Sequence, residues 1–166
     1  MAQRPDPPWT TRAAEAGDLR FLAQMLGCAV QWRPGRTPPD PESVLAEPAL
    51  AHYLAGWPRA GDHGLIAVGP EPLGAAWWRQ FSAEQPGYGY VAGDVPELAI
   101  AVLPEWRGRG IGTGLMEALI ASAARQRLRA LSLTVALENP ARGLYERLGF
   151  AAVEYVGDAV TMLRES

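Results

Sequence analysis

The sequence predicts an α/β (α+β) fold: one mixed, mostly antiparallel sheet covered by helices. Three observations carry this. A short apolar strand, Leu98 to Leu103, ends at Pro104 and runs through the Arg/Gly loop Arg107-Gly108-Arg109-Gly110-Ile111-Gly112 into an amphipathic helix. Two strand pairs are punctuated by turn residues, Gly69-Pro70-Glu71-Pro72 in one and Gly157-Asp158 in the other. The elements follow in the order β-α-α-β-β-β-α-β-α-β-β, with no internal repeat.

Residues 1–8 are polar and Pro-rich and are expected to form a loose tail, leaving 9–166 as a single domain. Trp9 to Ala14 reads as an edge strand. Asp18 can cap a helix from Leu19 to about Val30, with Leu19, Leu22, Met25 and Leu26 on one face. The Pro-rich stretch Arg33 to Pro41 breaks the chain. A broken helix follows, Pro41 to Ala46 and Pro48 to Gly56, with Leu50, Tyr53 and Leu54 as its apolar face. Trp57 to Asp62 is a loop. His63 to Val68 and Leu73 to Phe81 form a hairpin, and Ser82 to Gly93 is a loop of unassigned path. The helix after the glycine loop starts near Gly112 or Thr113 and runs to about Arg127, burying Ile111, Leu115, Met116, Leu119 and Ile120. Leu131 to Leu137 is a strand. Asn139 or Pro140 starts a helix with Leu144, Tyr145 and Leu148 inside, stopped by Gly149 as its C′ residue. Phe150 to Val156 and Ala159 to Leu163 close the chain as a hairpin.

Bulk properties exclude several functions. With 48% apolar and 20% charged residues the chain can build a core. A net charge of −3 gives no reason to expect nucleic acid or an anionic membrane as partner. One cysteine, Cys28, and two histidines rule out an internal disulfide and argue against a zinc site, so no metal is expected. No apolar run approaches the ~20 residues of a membrane span, and the first residues lack an apolar signal core, so a cytoplasmic location is the expectation. All 15 basic residues are arginine, as in a GC-rich coding sequence, which lowers the weight of any one Arg or Gly and raises that of the single asparagine, Asn139.

Strand, glycine loop and helix in that order make an anion site from backbone alone. The first helical N–H groups have no intrahelical partner and lie at the positive end of the dipole. Glycines allow close approach, and Arg107 and Arg109 can add forked donors. A dinucleotide fingerprint does not fit, because Leu115 stands three residues after Gly112 and Thr113 three after Gly110. A P-loop needs a lysine, and the chain has none.

Two segments together resemble the GNAT N-acetyltransferases. Val102-x-Pro104-x-x-Arg107-x-x-Gly110-x-Gly112 looks like that family's acetyl-CoA pyrophosphate motif, [Q/R]-x-x-G-x-[G/A] after a strand ending V-x-P. Asn139-Pro140-Ala141-Arg142-Gly143-Leu144-Tyr145-Glu146-Arg147-Leu148-Gly149-Phe150 looks like its second signature, N-x-A-x-x-L-Y-x-x-x-G-F. The resemblance is motif-level over residues 97–156 and topological before that.

It implies a GNAT fold whose sheet is splayed, with the help of a bulge, between the strand before Pro104 and the strand Leu131–Leu137. It further implies acetyl-CoA as co-substrate and transfer of its acetyl group to a primary amine, on a small molecule or a peptide, by direct attack in a ternary complex. Ile100, Ala101 and Val102 would pair with the pantetheine. Gly108, Arg109, Gly110, Ile111, Gly112 and Thr113 would hold the pyrophosphate through their N–H groups, with Arg107. Asn139 would contact the pantetheine, and Tyr145 would lie near the thioester sulfur, able to protonate the thiolate. The Val102 N–H can stabilise an oxyanion. Dimers are common in the family, so a homodimer is among the expectations.

Each candidate also has a plainer role. Asn139 can be an N-cap and a cofactor contact at once. Tyr145 can be core, and Arg107 and Arg109 can be merely solvated. Glu97 is the base candidate, at a strand start where many GNAT enzymes carry a glutamate acting through water; its plainer role is a solvent-facing strand end. The family's other frequent base position, used by ribosomal-protein N-terminal acetyltransferases, is held here by Thr134, a departure that counts against that activity. His52 and His63 rank below Glu97. Trp77 and Trp78 face opposite ways, one into the core and the other towards an acceptor pocket. Asp40, Glu42 and Asp62 border the acceptor region or are a solvated acidic surface. The alternatives to an N-acetyltransferase are a non-catalytic acyl-CoA-binding module, and an enzyme for O-acyl or longer-acyl transfer.

Overall fold

A computed structural model describes residues 8–166; the tail expected over residues 1–8 lies, Pro8 apart, outside the described residues. The elements are β1 (Thr10–Ala13), α1 (Leu19–Val30), α2 (Pro41–Ala46), α3 (Pro48–Ala51), β2 (His63–Val68), β3 (Pro72–Arg79), β4 (Glu97–Val102), α4 (Ile111–Arg125), β5 (Ala130–Ala136), α5 (Ala141–Arg147), β6 (Ala151–Val156) and β7 (Ala159–Glu165). The expected order holds throughout. The second helix breaks into α2 and α3 because Pro48, which cannot continue a helix, suits the first turn of a new one. Single turns carry the chain on to Trp57, with Tyr53 N–H on Leu50 O and Leu54 N–H on Ala51 O.

Seven strands form one sheet in the order β1-β2-β3-β4-β5-β7-β6. All pairs are antiparallel except β4 with β5, which run parallel and meet at a single pair, Glu97 with Ser132. Beyond that pair the two strands part. The parting needs no bulge in β4: its register with β3 is unbroken from Gly74↔Val102 to Arg79↔Glu97, and β5 keeps seven pairs with β7. The expected bulge is therefore corrected; each strand of the gap is held by its outer neighbour.

Each face of the sheet has its own core. On one, α4 and α5 bury Ile111, Leu115, Met116 and Leu119 against Leu98, Leu131, Leu133 and Trp78. On the other, α1 and the α2–α3 segment bury Leu22, Met25, Leu26, Val44 and Leu54 against Ile66, Ala75 and Trp77. The two tryptophans do face opposite ways, but each is only 1% exposed. The sheet is covered on both sides, so neither lines an open pocket, which corrects the expectation for the second of them. β6 is the exception to burial. All six of its residues are exposed, Val153, Tyr155 and Val156 among them.

Beside the second core lies a buried ion pair. The Arg79 guanidinium donates from Nη2 to Asp62 Oδ2 at 2.6 Å and from Nε to Oδ1 at 3.0 Å, and from Nη1 to the carbonyls of His52 and Ala55. Both side chains are sealed from solvent. Asp62 is thus a structural anchor and not an acceptor-binding acid. Asp40 caps α2 by accepting from the Ser43 N–H at 2.7 Å, and Glu42 pairs with Arg20.

Candidate functional site

The parted strands open a cleft of about 790 Å³ between the two cores. Its floor is the free edge of β4, and the direction of each backbone group there follows from the ladder. Leu103 N–H donates to Leu73 O at 2.8 Å, so the odd-numbered residues of β4 turn their backbone groups to β3. Pro96 O accepts from Ser132 N–H at 3.0 Å, so the even-numbered ones turn to β5. Ile100 and Val102 therefore present N–H and C=O to the cleft where β5 has parted. Ala101 does not: its backbone is spent on β3, and it adds only surface to the cleft wall.

The glycine loop closes one end. After a 3₁₀ turn at Pro104–Trp106, Gly108 and Gly110 take φ of 75° and 83°, left-handed values that glycine adopts without cost. Gly110 is the N-cap of α4, which starts at Ile111, earlier than expected, and ends at Arg125. No side chain caps this helix, and the first N–H with a carbonyl partner is that of Gly114, on Gly110 O at 3.0 Å. The N–H groups of Ile111, Gly112 and Thr113 are left pointing out of the helix end. Gly112 lines the cleft, and a Cβ there would lie 3.9 Å from Leu144 and Val102, filling space the glycine leaves open. The Ile111 side chain is in the core, so that residue can contribute only its backbone.

Arg107 lines the cleft, steadied by weak bonds to Val102 O (3.3 Å) and Trp32 O (3.4 Å). Arg109 does not line it. Its guanidinium lies 4.5 Å over the Trp106 ring, so its side chain leaves the expected phosphate-binding set.

Glu97 stands at the other end, where the strands meet, and corrects the picture of a solvent-facing strand end: it is 2% exposed. Its Oε2 accepts from Tyr53 Oη at 2.5 Å, and Tyr53 Oη in turn accepts from the Tyr88 N–H at 2.9 Å. Gly87 closes the seat; a Cβ there would overlap Glu97 Oε1 and crowd the Tyr53 hydroxyl. Oε1 has no hydrogen-bond partner among the described residues. Burial raises the Glu97 carboxyl to about 7, with the Tyr53 hydroxyl pulling the other way. Tyr53 is raised well above the phenol range, by burial first and then by the neighbouring carboxylate, so it stays a donor. Tyr53 and the loop glycine Gly87 are the site residues that sequence reasoning missed. Tyr53 read as one more apolar position of a helix.

On the opposite wall, the Asn139 side chain accepts from the Ala141 N–H at 2.9 Å, tying the turn into α5, and its amide group is left to the cleft. Tyr145, one helix turn inward, is buried, lies edge-on to Phe150 and lines the cleft; burial pushes its hydroxyl up to about 12, which keeps it protonated. Arg147 also lines the cleft and has no carboxylate partner among the described residues. His52 and His63 do not line it. His52 lies edge-on to Tyr53 and His63 tilted against Trp78, and burial lowers both below the usual histidine range.

A sheet parted beside an uncapped, glycine-led helix start leaves room for an extended ligand and turns free N–H groups towards one end of it. A family model for the acetyltransferase (GNAT) family matches residues 29–150, more than half of the chain, and the chain belongs to that family; it is an acyltransferase. Solved structures agree in fold. They include a ribosomal-protein-alanine N-acetyltransferase from Brucella melitensis (24% identity, 95% of this chain and 99% of that one, TM-score 0.70). A PaiA N-acetyltransferase from Thermoplasma acidophilum, in complex with coenzyme A, is 15% identical over 95% of this chain and 99% of that one, TM-score 0.68. YncA of Salmonella typhimurium, with its cofactor acetyl-CoA, is 20% identical over 95% of this chain and 94% of that one, TM-score 0.68. No curated protein matches the chain.

Proposed function

We propose that this acyltransferase moves an acetyl group from acetyl-CoA to a primary amine by direct attack in a ternary complex. The observation that carries this is that Glu97 and Tyr145 line one cleft, on opposite walls of a free strand edge that leads to the N-terminus of α4. When bound, acetyl-CoA supplies the acetyl group as a thioester. The N–H groups of Ile111, Gly112 and Thr113, with Arg107, bind its pyrophosphate. The free N–H and C=O of Ile100, the Val102 N–H, and the Asn139 amide, orient the extended arm. Glu97 accepts the proton that the amine must lose, a task suited to a base poised near 7. The Val102 N–H faces the charge that develops on the carbonyl oxygen. Tyr145 donates its proton to the departing thiolate, which leaves as the thiol, and regains one from solvent.

The acceptor named for the Brucella neighbour is disfavoured, since the family resemblance expects a glutamate for that activity where this chain has Thr134. A non-catalytic module is disfavoured by the presence of both a buried base and a buried acid in the same cleft. β6, exposed along its length, is the surface best suited to the expected homodimer. Calorimetric titration with coenzyme A tests the site: saturable binding is expected, weakened about ten-fold or more by Gly112→Glu through bulk and charge. Absence of binding at millimolar coenzyme A refutes the assignment.

A further inference from the structure

The base end of the cleft is poor in charge, and this bears on what the enzyme acetylates. Among the described side chains lining the whole cleft, only Glu97, Arg107 and Arg147 are charged. Arg107 belongs to the phosphate end, beside the start of α4, and Arg147 to α5. Around Glu97 the walls are neutral: Leu50, one turn before Tyr53; Tyr53 itself; Tyr88, whose N–H bonds the Tyr53 hydroxyl; and Thr134 of β5, against which Gly89 packs. The cross-strand neighbour of Glu97 is Arg79, and its charge is already matched by Asp62. Glu97 Oε1 is buried beneath Gly87, and among the described residues no second carboxylate lines the cleft with Glu97.

A polar group taken into such surroundings without a partner is destabilised, and a charged one much more so. A second ammonium on the acceptor would find no counter-ion. A carboxylate on the acceptor would meet Glu97, while Arg107 lies at the phosphate end and Arg147 on α5, in the opposite wall. Aromatic and aliphatic surface, by contrast, is matched by Tyr53, Tyr88 and Leu50. Tyr88, largely exposed, widens this apolar wall towards the mouth.

We infer that the acceptor is a monoamine: one primary amino group on an uncharged aryl-alkyl or alkyl body, whose nitrogen stops at Glu97. The inference rests on the proposed amine acetylation and narrows its substrate. Two matched pairs test it by thiol release with acetyl-CoA: 2-phenylethylamine against phenylalanine, and hexylamine against 1,6-diaminohexane. Each pair differs by one charged group. The monoamine is expected to have the higher kcat/KM in both pairs, by roughly ten-fold or more. Tyr88→Glu, a change at an exposed position, is expected to narrow the gap in the second pair by supplying a counter-ion. Equal rates within the pairs, or preference for the charged member, overturn the inference. So does the absence of turnover with all four amines; coenzyme A titration of the same sample then shows whether the cofactor site stands without it.

Discussion

Replacing Tyr53 with phenylalanine removes one oxygen and tests the seat of Glu97 directly. That oxygen donates to Glu97 Oε2 at 2.5 Å and favours the ionised carboxylate. A hydrogen bond to a charged group is worth about 1.5–3 kcal/mol, and about 1.4 kcal/mol corresponds to one pKa unit. Taking the lower end, Glu97 moves from about 7 to about 8. The base works ionised, so its acid limb moves to higher pH. At pH 7 the ionised fraction falls from about a half to about a tenth, and the rate about five-fold. The assay is kcat/KM by thiol release from pH 5 to 9.5, expressed as the ratio of variant to parent, in which the titration of the amine cancels. The ratio is expected to climb from about one-tenth at pH 5 to near one above pH 9. The substitution also deprives the Tyr88 N–H of its acceptor. If that structural loss were the whole effect, the ratio would fall by the same factor at every pH. A flat ratio refutes the reasoning.

The remaining predictions concern the same cleft and its support. Glu97 is raised to about 7 in the fold, against about 4.3 when unfolded, so the native state holds its proton more tightly. Its carboxyl favours folding below about pH 4 and loses that contribution as pH rises through 7. Glu97→Gln is therefore expected to gain up to about 3 kcal/mol on the parent between pH 5 and pH 8.5 in urea unfolding, and a pH-independent difference contradicts the assignment. Tyr145→Phe is expected to lower kcat about ten-fold while the coenzyme A Kd, read by calorimetry, stays within about two-fold; an unchanged kcat removes Tyr145 as the acid. Asp62→Ala leaves the Arg79 guanidinium buried and without its carboxylate, at a cost of about 3–5 kcal/mol in unfolding free energy; a loss below 1 kcal/mol shows that the pair contributes little.

Sequence reading succeeded where an element announces itself within a few residues. β4, the glycine loop and α4 are contiguous, and so are Asn139 and α5; their positions in the cleft follow from strand direction and helix pitch. What escaped was held together over long separations. Tyr53 meets Glu97 across 44 residues, and nothing in its helix-like spacing separates a buried hydrogen-bond donor from an apolar filler. Gly87 sits in a loop whose path the sequence leaves open, and its need to be glycine appears only once Glu97 lies beneath it. Asp62 looks like any surface acid until Arg79, 17 residues on, turns inward to it. Alternation placed Trp77 and Trp78 on opposite faces correctly, but a two-sided pattern cannot show that both faces are covered. The reverse held at β6, where strand-forming residues earn no burial because no helix reaches them.

The single pair joining β4 to β5 makes the parted sheet a ruler. A ligand laid along the free edge of β4 from the helix end advances about 3.3 Å per residue of strand and reaches a fixed stop where Glu97 and Ser132 pair. Beyond that stop there is no more gap between the strands. Whatever extends past it must turn out of the sheet, and Glu97 and Tyr53 stand on the side of α1 and α3. Under the proposed acetyl transfer, the same contact that joins the two halves of the sheet would set both how deep an acyl group travels and the side from which its acceptor comes.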